Sequence, residues 1–257
     1  MTLIVAVPAQ DGLVLGSDSQ LTAGAIRSTG NKVFKLNESA IWAASGELAL
    51  IQRVKERIEG YPQRDQPLAA TRDVLAGFVK DSVQALLNLD FRTQFFVQNP
   101  QALLQLHPGD FLFAEHREGK TRVLHILANG TPEWVDGHHA ASGGGEHFAQ
   151  ALMCKYNGIV LPCDRAKLLV YKVIEEAIQV GAYGLGPPID VWHIDKDGVK
   201  QAGEAELAGL EDAVKGLRER EVEVLAAELG PPAAEEPEPA AGEPAAGEGD
   251  LPPAAAG

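Results

Sequence analysis

The chain has 257 residues, 45% of them hydrophobic, and a formal net charge of −14. That suits one sizeable globular domain with additions, and an acidic body lacks the basic footprint that a nucleic-acid partner requires. Two cysteines, Cys154 and Cys163, form neither a disulfide framework nor a metal spacing and suit a reducing compartment; with no basic leader and no apolar run long enough to span a bilayer, the expectation is a cytoplasmic protein without a membrane partner.

In chain order, Leu3 to Val7 and Leu13 to Leu15 are two apolar runs joined by Asp11-Gly12, which predicts a β-hairpin with that pair in its turn. The second run ends in Gly16-Ser17-Asp18-Ser19-Gln20, and a third strand is predicted over Lys32–Leu36. A hairpin sets the end of one strand beside the start of its partner, so Asp18 is expected near Thr2, with Lys32 reaching the same point. The three residue types make chemical sense together. Removal of Met1 would leave Thr2 with a free α-amine, whose unperturbed pKa of roughly 7.7–8.0 lets it take the proton of its own hydroxyl. Lys32 would lower the proton affinity of the site, and Asp18 would hold Lys32 in place and charged. Taken singly, each reads as an ordinary strand, turn or edge-strand residue; the signal lies in the combination.

Ala40–Gly46 reads as a buried strand ending in small residues, which let a backbone N–H approach a reacting carbonyl as an oxyanion hole requires. Helices are predicted over 47–58, with Leu48, Ile51, Val54 and Ile58 as the apolar stripe, and over 68–89. Residues 90–109 read as an apolar stretch, with a short helix near 99–106, that is either a loop packed on the domain or a subunit contact or wall of a substrate channel. Strands are predicted next over 110–116, 122–127 and 133–136. The histidines of this region, His138 and His139 included, match no standard zinc pattern and read as solvated or capping residues.

A third helix is predicted over 146–156, after the glycine-rich run Ser142-Gly143-Gly144-Gly145, and a fourth over 165–180 with Asp164 as its cap. Residues 188–194 form a further strand, and Lys196-Asp197-Gly198 a hairpin turn. The domain is expected to end at 202. Residues 203–229 are a terminal helix with an apolar stripe from Leu207 to Leu225. Residues 230–257, almost wholly Pro, Ala, Gly and acidic, are an expected disordered tail.

The run from Thr2 through Asp11-Gly12, Gly16-Ser17-Asp18-Ser19-Gln20, Thr22, Lys32-Val33-Phe34 and Ala44-Ser45-Gly46 resembles the proteasome β-subunit family. The region around Gln20 is most similar to the bacterial branch, the peptidase of the two-component ATP-dependent protease. The resemblance is strong over residues 2–50, traceable over 110–195 and absent after about 203, and the N-terminal extension of α-subunits is not expected. It implies an α+β, four-layer αββα sandwich of two antiparallel sheets, the fold of N-terminal-nucleophile hydrolases, and the layer logic of four amphipathic helices over two sheets agrees.

Residue by residue, the resemblance puts the nucleophile on Thr2, its carboxylate partner on Asp18, the lysine on Lys32, the oxyanion-hole glycine on Gly46 and a substrate-backbone contact on Thr22. The family's supporting serine falls on Gly144 if Phe148-Ala149 sets the register, with Ser142 two residues early. The Gly181–Gly184 loop is implied to permit a structural cation on backbone carbonyls, with no cofactor required for the chemistry. The activity that the resemblance implies is that of a threonine endopeptidase in a homo-oligomeric ring, fed by an unfoldase ATPase. The alternatives are a non-catalytic ring subunit of the same fold, or an amidase acting on a small amide.

Overall fold

A computed structural model describes residues 2–23, 26–90, 108–181 and 184–229. Met1, the 91–107 segment with its expected short helix, and the 230–257 tail lie outside the described residues. The chain divides into two units, Met1–Leu217 and Arg218–Gly257.

The first unit holds two five-stranded antiparallel sheets. One has the order β10-β1-β2-β11-β12, from strands β1 (Ile4–Ala9), β2 (Gly12–Asp18), β10 (Ala140–Ser142), β11 (Ile189–Asp195) and β12 (Gly198–Gln201). The other has the order β5-β6-β7-β8-β9, from β5 (Val33–Asn37), β6 (Ala40–Gly46), β7 (Gly109–Arg117), β8 (Lys120–Ile126) and β9 (Pro132–Trp134). A separate two-stranded ribbon, β3 (Gln20–Ala23) with β4 (Ile26–Thr29), carries the chain from one sheet to the other. The helices are α1 (Leu48–Glu59), α2 (Leu68–Ala85), α3 (Glu146–Met153), α4 (Cys163–Gln179) and α5 (Glu204–Leu229).

Burial explains why the strands read as continuous apolar runs rather than alternating ones. Successive side chains point to opposite faces, and here both faces are covered. Ile4 and Ala6 of β1 join Leu13 and Leu15 of β2 in a core shared with Ile41, Ala43, Leu112 and Ala114 of the second sheet. Leu3, Val5 and Val7, on the other face of β1, pack with Val170, Val173 and Ile174 of α4. Trp42, Phe111 and Phe113 cover the outer face of the second sheet with Leu50, Val54 and Ile58 of α1 and Leu75 and Val79 of α2. Three cores between four layers are the αββα sandwich expected from the sequence.

Several local readings are corrected. The β1–β2 turn is Gln10-Asp11, because Gly12 pairs with Ala9 as the first residue of β2. The inward face of α1 runs Leu50, Val54, Ile58, four residues apart, and Leu48 is turned out to solvent. α2 ends at Ala85 in a π-helical turn, Leu86–Asp90. The ribbon of β3 and β4 has no counterpart in the sequence reading.

The start of α4 is capped from a distance. It begins at Cys163 with no side-chain cap at Pro162, and Asp164 lies in the first turn, paired with Lys167 at 3.1 Å. The Cys163 N–H instead donates to Asp11 Oδ1 at 2.8 Å, from the β1–β2 turn. That bond holds the Asp11 carboxyl below its ordinary pKa. Burial first, and the Asp11 charge second, push the Cys163 thiol up to about 12, so it stays a protonated, inert thiol.

Helix α5 begins in the first unit, where Leu207, Leu210 and Val214 pack on the core beneath α4. In the second unit, residues 218–229 continue as helix, with Val222, Val224 and Leu225 exposed.

Asp11→Ala should lower stability by about 1 kcal/mol at neutral pH, the usual cost of a lost helix cap. A carboxyl with a lowered folded pKa stabilises above its unfolded pKa, and that contribution disappears as pH falls through the folded value. Chemical denaturation at pH 7 and at successively lower pH should therefore show the wild-type and Asp11→Ala curves converging in acid.

Candidate active site

The site forms where the start of β1, the end of β2 and the entry to β5 meet. β2 pairs with β1 in a register that sets Ile4 opposite Ser17, which brings Asp18 level with Leu3. The Leu3 N–H donates to Asp18 Oδ1 at 2.9 Å, and the Asp18 N–H returns to the Leu3 carbonyl at 3.3 Å. The Lys32 ammonium donates to the same Oδ1 at 2.8 Å. Asp18 Oδ2 accepts the N–H groups of Gln20 and Gly186, each at 3.3 Å.

Asp18 is fully buried and Lys32 nearly so. Removing both charges from water is costly, and the pair persists because three backbone N–H groups fill the remaining acceptor positions of the carboxylate. Burial lowers the Lys32 pKa, and the Asp18 charge and hydrogen bond oppose that shift. Lys32 is joined to the second sheet as well, since its carbonyl accepts the Ala44 N–H at 3.2 Å.

Thr2, also buried, is held through its carbonyl, which accepts the Gly145 N–H at 3.3 Å. Gly143 adopts φ +94, and a Cβ there would land on the Thr2 carbonyl and press on Ser45 Cβ. Gly143 is therefore the point where the turn before α3 touches both Thr2 and the end of β6. One residue beyond Ser45, Gly46 has φ +121 and pairs with Gly109 at φ +149; a side chain on Gly46 would strike the Pro108 backbone. This left-handed geometry, next to the Glu47 N–H that donates to Pro108 O at 2.9 Å, ends β6 beside the start of α1.

Of the residues singled out from the sequence, Asp18 and Lys32 thus meet directly at the peptide that begins at Thr2. Gly46 is joined to this group through Ser45 and Gly143. Thr22 lies in β3, paired with Arg27. Ser142 is a strand residue opposite Ile4, so its side chain shares the face of Ile4 toward the layer between the sheets; its Oγ is fully buried and has no hydrogen-bond partner among the described residues. Gly144 is exposed and brings no hydroxyl. Sequence reasoning missed Gly143, Gly145 and Gly186, whose backbone atoms do the positioning; the closely spaced glycines after Ser142 were the one visible sign.

The Gly184 carbonyl accepts the Gln20 side-chain amide at 2.6 Å. Among the described residues no cluster of His, Cys, Asp or Glu could hold a metal ion. His139 is bonded to Gln150 at 3.0 Å. No helix among the described residues is long and apolar enough to cross a membrane.

Residues 2–105 match the family model described as Proteasome subunit. No curated protein matches the chain. Among solved structures, Anbu (ancestral beta-subunit) from Yersinia bercovieri is similar with a TM-score of 0.67 at 19% identity, over 87% of this chain and 97% of that one. An Anbu (Gly-1) mutant from Hyphomicrobium sp. strain MC1 is similar with a TM-score of 0.63 at 15% identity, over the same shares. The chain has the fold of these β-subunits, and the resemblance to the proteasome family read from its first fifty residues stands.

Lys32→Met should destabilise the protein by roughly 3–5 kcal/mol, because it leaves the Asp18 carboxylate buried without its counter-charge. Asp18→Asn with Lys32→Met should recover much of that loss. Equilibrium denaturation of the two single variants and the double variant measures the difference.

Proposed function

We propose that this chain, with its proteasome-type fold and N-terminal family match, is a threonine peptidase that cleaves peptide bonds with Thr2 as nucleophile. One observation carries the reading: a single oxygen of a buried carboxylate accepts both the Leu3 N–H and the Lys32 ammonium. Such a junction locks a cation to the peptide that begins at Thr2, and ordinary strand residues have no need of it.

Loss of Met1 frees the Thr2 amine. The amine takes the hydroxyl proton as Oγ attacks the substrate carbonyl. The tetrahedral oxyanion is met by the backbone N–H of Gly46. The C–N bond breaks, the ammonium returns its proton to the leaving amine, and an ester on Thr2 remains. Water, deprotonated by the same amine, attacks the ester and releases the acyl half with Thr2 restored. Lys32 keeps positive charge beside the nucleophile and lowers its proton affinity, while Asp18 keeps Lys32 oriented. Thr22, on the ribbon just after Asp18, contacts the substrate backbone. In this reading the subunits assemble into a cytoplasmic homo-oligomeric ring that encloses the nucleophiles, and an unfoldase ATPase delivers protein substrate.

A second reading, a ring subunit that keeps the fold without the activity, draws on the family's supporting serine, which falls on Gly144 here. Gly143 and Gly144 carry no hydroxyl, and Ser142 lies in β10 opposite Ile4.

Intact mass and covalent labelling separate the two. The peptidase should begin at Thr2, and a β-lactone probe should map to that residue. Peptide turnover should fall by roughly 1,000-fold or more in Thr2→Ala, and kcat/KM should rise with pH through an apparent pKa at or below about 8, as the amine loses its proton. A protein that retains Met1 and resists the probe is the non-catalytic subunit.

A further inference from the structure

We infer that Gln20 is a positioning residue, whose side-chain amide clamps the Gly184–Gly186 segment against Asp18 and so holds the carboxylate in its working orientation. The inference rests on the peptidase reading and deepens it. Asp18 Oδ1 is fully committed to Lys32 and Leu3, so the rotation of the carboxylate about its own axis is decided at Oδ2. Its donors there are the N–H groups of Gln20 and Gly186. The first is two residues away along the chain; the second comes from a segment 168 residues distant and stays only if that segment stays.

Three contacts hold it. The Gln20 Nε2 donates to the Gly184 carbonyl at 2.6 Å. The Ser19 N–H donates to the Gly186 carbonyl at 3.3 Å. Gly186 also lies flat on the Gln20 side chain: a Cβ at Gly186 would run into Gln20 Oε1, Cδ and Cβ. Gln20 is 8% exposed, so water does not compete freely for its amide. The same segment reaches the other side of the site. Leu185 and Leu3 enclose Gly145, whose N–H holds the Thr2 carbonyl. One loop thus bears on both the carboxylate and the residue it serves, and Gln20 is the side chain that ties the loop down.

Gln20→Met keeps the volume and removes the donor. Gly186→Ala, at a backbone angle open to alanine, keeps the amide and pushes it off the loop. Both variants, with wild type, are compared by hydrogen–deuterium exchange over residues 184–190 and by peptide turnover. Faster exchange there in both variants, with kcat down about tenfold or more and KM within about twofold, is the expected result. A simple loss of folded protein would instead lower the melting temperature and leave kcat per labelled site unchanged. Unchanged exchange, or unchanged kcat with faster exchange, overturns the inference. If wild type neither turns over peptide nor takes the probe at Thr2, the peptidase reading fails, and exchange alone decides whether Gln20 holds the loop on Asp18. Should Gln20→Met not fold, Gly186→Ala carries the test.

Discussion

Asp18 has no exposure to water, and a buried carboxylate is costly unless donors surround it; the surrounding structure is arranged to meet that demand. Its two oxygens collect one ammonium and three backbone N–H groups from the starts of β1 and β3, from Lys32 and from the segment before β11. These pieces are far apart in the chain. They come from both sheets and the ribbon between them, so satisfying one buried charge ties these elements together at one point. Directional, short-range bonds supply the precision, and the three apolar cores supply the bulk of the driving force.

Strand ends then decide where Thr2, Asp18 and Lys32 sit. Antiparallel pairing aligns the beginning of β1 with the end of β2, and the small-residue terminus of β6 arrives from the opposite sheet. Backbone atoms make most of the close contacts at this junction. Gly143 meets the Thr2 carbonyl, Gly145 donates to it, and Gly46 lies close against the Pro108 backbone.

Much was legible from the residues. The pairing of Asp18 with Lys32 was readable because two strands and a turn bring their ends together by geometry that any hairpin obeys. The four layers were readable because both-face burial leaves uninterrupted apolar strands and amphipathic helices. What misled were features that depend on partners far away. Asp164 has the chemistry of a cap and the right offset, yet Asp11 fills that role across 152 residues. Asp11-Gly12 looked like the turn, yet strand register moved the turn one residue back.

Periodicity, turn chemistry and the identity of a few polar residues were enough to determine the fold class and the likeness at the N-terminus, because they act over a handful of neighbouring positions. Tertiary structure alone decided which backbone N–H groups reach Asp18, which glycine touches Thr2 and which side chain holds the Gly184–Gly186 segment. Most of those contacts join residues more than a hundred positions apart, and every residue but proline carries the same N–H and C=O. No pattern in one segment can report which of these identical groups a distant segment will meet.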